Sequence, residues 1–306
     1  MSKVLQRVLL AVFVIVDVIL IAGAMRHVNS TPPSTDLPAA AATADPAPTA
    51  TAPTTPAPAG TTEAPTQLAY DFQASEAVAL SSANDGTIVF GTRGRCADPE
   101  ASVQISTNGG ADFASEKTGL TTTLAVKTTG ATSITVVGTN ADCDVQQVTS
   151  TNGGSSWSTS GDIDLWYPAA DNSSTVVTPD GSTEPDASCV VTSVSQVTAA
   201  SGRVSCADGT FRGSGDNGKT WVQLGRLDNA RVSTFLTPTT GFALARFSGC
   251  AANEFTTTDG GVTWTPGGCI GGDPAQAIAA TSNGLTAVVA GEAYASTDNG
   301  TTWMQP

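Results

Sequence analysis

Asp142 and Asp144 flank Cys143, and Asp162 and Asp164 repeat the same one-residue spacing. Such pairs offer two oxygen ligands to a cation, or an acid and a base to a glycosidic bond. Neither pair has the ligand spacing of an EF-hand loop, so no metal site is expected. Arg93 and Arg95 stand beside Cys96 and Asp98 in a second polar stretch. Trp166 and Tyr167 form an adjacent aromatic pair within a third, acidic one. Aromatic side chains dominate binding hot spots, so this pair reads either as a contact patch or as a tuck that holds its segment against the fold. The only histidine, His27, lies near the amino terminus. Imidazole chemistry and histidine metal sites are therefore excluded from the region that carries these residues.

A repeat must position them. Five stretches share the pattern Ser/Thr, any residue, Asp/Asn, any residue, Gly, any two residues, aromatic. They are 106–113 (STNGGADF), 150–157 (STNGGSSW), 214–221 (SGDNGKTW), 257–264 (TTDGGVTW) and 296–303 (STDNGTTW). The Asx side chains, Asn108, Asn152, Asp216, Asp259 and Asp298, can accept backbone N–H bonds and hold a tight turn. The Gly supplies a backbone of positive φ. The aromatics, Phe113, Trp157, Trp221, Trp264 and Trp303, are expected to pack into an apolar interior, not to form a ligand ladder. From Asx to Asx the intervals are 44, 64, 43 and 39 residues, and about forty residues is one four-stranded propeller blade.

These turns resemble the Asp-box (BNR) repeat of β-propellers such as sialidases, sortilin-type receptors and photosystem II assembly factors. The resemblance covers residues 67–306. It implies an all-β fold, a propeller of five four-stranded blades. The long second interval could be a loop or a degenerate blade, which would make six. Strands are expected at 77–82, 87–92, 102–106 and 112–117 in the first unit and at 275–280, 284–290 and 292–296 in the last. Residues 68–73 (LAYDFQ) are expected to complete the last blade and hide its edge.

The resemblance says little about activity, because the box is structural in enzymes and non-enzymes alike. Sialidase-like enzymes carry an arginine triad, a Tyr–Glu nucleophile pair and an acid/base Asp. Their Arg-Ile-Pro signature is replaced here by Ala-Tyr-Asp-Phe at 69–72, and Tyr294 has only Glu292 nearby. No enzyme activity and no cofactor are expected.

Propeller strands alternate in direction, so each blade's loops divide between two faces. First-to-second and third-to-fourth turns share one face; second-to-third loops and blade connections share the other. The second face should carry Arg93, Arg95, Asp142, Asp144 and the connection 162–186 with Trp166 and Tyr167, making it the candidate binding face. The net charge of −14 argues against nucleic acid as a partner. From 128 to 202 there are eight acids and no Lys or Arg, whereas 203–246 holds five Arg and one Lys.

Residues 1–30 read as a membrane segment. Residues 8–25 are apolar except for Asp17, and Lys3 and Arg7 precede them, placing the amino terminus in the cytoplasm. The run reads as a retained signal-anchor, or as a signal peptide cleaved at Ala22-Gly23-Ala24. Residues 31–66 are rich in Pro, Ala and Thr and read as a disordered, extended linker. Either reading delivers 67–306 outside the cytoplasm.

Six cysteines in that domain suit an exported, disulfide-bonded fold. Cys96, Cys143, Cys206 and Cys250 precede their Asx by 12, 9, 10 and 9 residues and so belong to one kind of loop. Cys269 returns beside Cys250, and Cys189 leads into the unit that carries Cys206. The pairs expected are Cys250–Cys269, Cys189–Cys206 and, between neighbouring blades, Cys96–Cys143. The chain thus reads as a membrane-tethered, extracytoplasmic scaffold that binds an unknown protein or cell-envelope component. The alternative is a sialidase-like hydrolase or a carbohydrate-binding propeller.

Overall fold

Runs of β-branched and apolar residues between Gly, Asn and Asp turns become strands throughout the computed structural model, which describes residues 73–96 and 101–306. The expected membrane segment, the linker, residues 68–72 and Asp98 lie outside the described residues. Among those described, no helix is long and apolar enough to cross a membrane.

The first sheet runs β1 (Val78–Ser82), β2 (Ile88–Thr92), β3 (Ser102–Ser106) and β4 (Ala114–Lys117), each antiparallel to the next. The second repeats this order with β5 (Ala125–Gly130), β6 (Ser133–Thr139), β7 (Val145–Ser150) and β8 (Ser158–Ser160). A three-stranded sheet follows, made of β9 (Tyr167–Pro168), β10 (Val176–Thr178) and β11 (Gly181–Thr183). Then come β12 (Val191–Gln196), β13 (Gly202–Cys206), β14 (Thr210–Ser214) and β15 (Val222–Arg226). The fifth sheet holds β16 (Ala230–Phe235), β17 (Gly241–Phe247), β18 (Cys250–Thr257) and β19 (Thr265–Ile270). The sixth holds β20 (Ala275–Thr281), β21 (Gly284–Val289) and β22 (Glu292–Ser296). At its outer edge Met304 bridges Ala295, with N–H to carbonyl distances of 2.8 and 3.0 Å.

The propeller therefore has six blades, and the long second interval is a degenerate blade. Counting turns gave five because the third blade lacks the repeated turn. Its β10 and β11 join through Pro179 and Asp180, and Thr178 Oγ1 donates to the Gly181 and Asn217 carbonyls at 3.2 and 3.0 Å. Among the described residues, two blades have three strands, not four. The ring closes where β20 packs beside β1. There Ser282 Oγ donates to Asn84 Oδ1 at 2.9 Å and Asn283 Nδ2 donates to the Asn84 carbonyl at 2.9 Å. Pro306 lies against Gly110 in the same seam, where a Cβ would stand 2.7 Å from Pro306 Cγ.

Apolar side chains fill the seams between blades. Val89 and Val103 of the first blade meet Ile134 and Val136 of the second, and Phe211 of the fourth meets Phe235 and Phe255 of the fifth. Because each sheet is covered on both sides, strands such as β6 and β21 are buried over consecutive residues and do not alternate. Fully burying each large side chain contributes about 1.5–3 kcal/mol. The turn aromatics sit at the same seams: Trp157, Trp221, Trp264 and Trp303 each pack on a cluster shared with the preceding blade. Phe113 stacks edge-on against Phe90, with centroids 5.2 Å apart.

The five repeated turns share one hydrogen-bond pattern. In the last, Ser296 Oγ donates to Asp298 Oδ1 at 2.8 Å and accepts from Gly300 N at 2.9 Å, while Thr302 N donates to Asp298 Oδ1 at 2.9 Å. The first uses Asn108 in the same way, accepting from Ser106 Oγ at 2.8 Å and Asp112 N at 3.1 Å. Three turns have Asp, and there a Thr hydroxyl donates to the second oxygen at 2.6–2.7 Å. These hydroxyl and backbone donors, the Thr hydroxyl first, hold Asp216, Asp259 and Asp298 down to about 2.

Candidate functional site

The first-to-second turns lie beside the repeated turns, as Gly109 N to Gly86 O at 3.0 Å and Asn217 N to Ala200 O at 2.8 Å record. The opposite face carries the second-to-third loops and most connections. All three disulfides end there. Cys96 and Cys143 join loops of neighbouring blades with their Cα atoms 5.4 Å apart. Cys189–Cys206 and Cys250–Cys269, at 5.1 and 6.0 Å, each stay within or beside one blade. The three pairs are those expected from the cysteine positions relative to the turns.

Asp142 and Asp144 are exposed on this face, in a hairpin closed by Asn140. Asn140 Oδ1 accepts from the N–H groups of both aspartates at 2.9 Å. Among the described residues no group of three or more metal-ligating side chains occurs. Arg95 is exposed nearby, whereas Arg93 is buried.

Of the two readings of the aromatic pair, contact patch or tuck, the structure shows the tuck. Trp166 and Tyr167 are 3% and 5% exposed. Trp166 donates from Nε1 to the Ala199 carbonyl at 3.3 Å and meets Trp221 edge-on at 6.1 Å. A side chain on Gly202 would collide with its ring. Tyr167 packs with Leu124, Val137 and Leu165 in the seam between the second and third blades, and burial raises its hydroxyl pKa. Both residues are interior because the segment they occupy is itself a blade. Asp180, expected on the loop face, lies on the turn face, 3.0 Å from Lys219 Nζ and accepting from Asn217 Nδ2 at 3.1 Å. Tyr294 stands on the third strand of the last blade, donating to the Gly271 carbonyl at 3.4 Å and away from the channel wall.

The inner strands surround a central channel with a cavity of 370 Å³. Serine hydroxyls link adjacent blades along its wall. Thr128 N donates to Ser81 Oγ at 3.0 Å, Ser233 N to Ser193 Oγ at 2.9 Å and Phe235 N to Ser195 Oγ at 2.8 Å. Such bonds replace the backbone ladder that splayed inner strands do not form. The charged residues of the lining are Arg93 and Lys127, both cationic. Arg93 follows β2 at the loop-face mouth, where Thr123 N donates to its carbonyl at 3.3 Å. Burial pulls its guanidinium down to about 10, so it remains charged at neutral pH. Sequence reading had Arg93 on the correct face but could not show that it is buried.

No family model matches this chain, and no curated protein matches it. Solved β-propellers do. A structure of YCF48 bound to D1 peptide aligns at 16% identity and a TM-score of 0.31, covering 78% of this chain and 72% of that one. YCF48 from Cyanidioschyzon merolae aligns at 13% identity and 0.43, covering 68% and 78%. The six-bladed fucose-binding lectin of Aleuria aurantia aligns at 12% identity and 0.48, covering 76% and 96%. A GH74 xyloglucanase from Xanthomonas campestris aligns at 11% identity and 0.43, and this chain spans 45% of its length. Binding proteins and hydrolases are thus both among the neighbours.

Proposed function

We propose that the chain is an Asp-box propeller that works outside the cytoplasm, tethered by residues 1–30, as a non-catalytic binding or assembly scaffold. Its partner is a protein or cell-envelope component, met by the face that holds Arg95, Asp142 and Asp144. The observation that carries this reading is the placement of the three disulfides. All of them pin loops of that one face, while the opposite face is made of tight, self-satisfied turns. Covalently fixed loops lose less entropy on binding, which is the advantage of a pre-organised surface. Disulfides also suit an oxidising, extracytoplasmic compartment.

Site-specific photo-crosslinking of the full chain in intact cells tests the reading. A photoreactive residue at Asp142 or Asp144 should capture a partner, and one at Ser155 on the turn face should not. Capture from Ser155 alone contradicts it.

A further inference from the structure

Glu254 is a fully buried carboxyl on β18, five residues before Asp259 of its repeated turn. The same place holds Val103, Gln147, Phe211 and Ala293 in the other repeats, all buried and none ionisable. Here β18 shifts register against β19, between Asn253 and Phe255, and such a bulge re-aims a side chain. The carboxyl lies across the seam against the repeated turn of the sixth blade. A Cβ on Gly300 would stand 2.6 Å from Glu254 Cδ, and one on Gly267 of β19 would collide with Oε2. Thr256 Oγ1 donates to Oε1 at 2.8 Å, whereas Oε2 has no partner. Beside it Gly268 N donates to the Gly300 carbonyl at 2.7 Å, joining β19 to that turn.

The elements around this carboxyl supply no counter-charge. Residues 247–306 contain no Lys, Arg or His, so β18, β19 and the sixth blade offer no cation. In the rest of the fifth blade, Leu244 of β17 stands opposite Glu254, Arg246 is paired with Asp273, and Arg231 lies two strands away on β16. The sixth blade's own acids add only negative charge: Asp298 is held by Ser296 and Thr302, and Glu292 is exposed. An ionised Glu254 would be desolvated and unpaired in the closed seam, which is a costly state. We propose that the seam between the fifth and sixth blades is a pH-sensitive latch, in which protonated Glu254 seats the turn 296–303 on β19 and ionised Glu254 releases it. Burial pushes the carboxyl up to about 7, so the latch is closed in mild acid and loosens as pH rises through neutrality. The Cys250–Cys269 disulfide ties β18 to β19 at the loop-face end, which confines the movement to the turn. The latch is independent of any partner on the loop face.

Hydrogen exchange of the purified full chain at pH 6, 8 and 9, corrected for the intrinsic rate at each pH, tests the latch, because it reads local opening directly. Protection of residues 267–270 and 298–303 should fall by about ten-fold from pH 6 to pH 8 and then level off. That is the linkage expected for a carboxyl at 4.5 when released and about 7 when seated. The second blade's turn at 150–157, whose repeat carries Gln147 in place of Glu254, should keep its protection throughout. Glu254→Gln puts the same amide in the fifth blade and should make the seam's protection independent of pH. The wild-type profile decides alone if that variant folds poorly. Equal seam protection at pH 6 and pH 8 would overturn the proposal, as would a fall shared by residues 150–157. A pH dependence that survives in a folded Glu254→Gln would assign it to another group and overturn the proposal too.

Discussion

Cys96 and Cys143 are 47 residues apart in sequence, and their Cα atoms stand 5.4 Å apart, on corresponding loops of the first two blades. This disulfide fixes the spacing of two loops that carry Arg95, Asp142 and Asp144. Replacing both cysteines by Ser should lower stability by about 2–4 kcal/mol, the usual contribution of a closed loop of this kind. Hydrogen exchange should rise most at residues 140–144. Unchanged exchange there would mean the loops hold their positions without the bond.

Glu254 is fully buried on β18 and donates nothing; it accepts from Thr256 Oγ1 at 2.8 Å, while its Oε2 has no partner. Burial pushes its pKa up to about 7. A carboxyl raised above its unfolded value stabilises the fold below about 4.5, and that stability is lost as pH rises toward 7. Glu254→Gln should therefore raise stability at pH 8 by roughly 3 kcal/mol, and the melting temperature with it. The gain should shrink toward pH 5. A constant gain at both pH values would show that packing, not charge, is responsible.

Asp216, Asp259 and Asp298 shift the other way. Their folded values of about 2 lie below the ordinary carboxylate range, so they stabilise above about 4, and that stability is lost as pH falls toward 2. Asn occupies the same place at 108 and 152 and makes the same backbone bonds. Asp298→Asn should keep the fold and flatten the acid limb of the stability curve, whereas Asp298→Ala should lower the melting temperature at every pH. Thermal melts between pH 2 and pH 7 check both.

Much of this architecture was legible in the sequence. Each Ser/Thr–Asx–Gly–aromatic stretch marks a third-to-fourth turn, and the expected strands at 77–82 and 275–280 became β1 and β20. The cysteines could be paired because their distance from each Asx assigns them to a loop type. The third blade was hidden because its strands are only two or three residues long and its turn uses Thr178, Asp180 and Gly181 without the repeat. With that blade read as a loop, the sequence left open whether Trp166 and Tyr167 are exposed or tucked against the ring. Arg93 was hidden for another reason: burial and lack of a partner are properties of the assembled ring.

Trp166 should accordingly behave as a core residue. Trp166→Ala removes a ring that fills the seam with Trp221, Val176 and Val191 and should cost about 3–5 kcal/mol. Chemical denaturation measures it directly. A cost below about 1 kcal/mol would place the side chain at the surface, as surface substitutions behave.

The central claim is that the disulfide-pinned face is the one that works. Hydrogen exchange of the full chain, alone and bound to the partner recovered by crosslinking, tests it most directly. Protection should gather at residues 140–144, 207–209 and 247–250, the second-to-third loops of three blades. The repeated turns at 106–113, 214–221 and 296–303 should exchange as in the free chain. Protection of those turns, with the loops unchanged, would contradict the account.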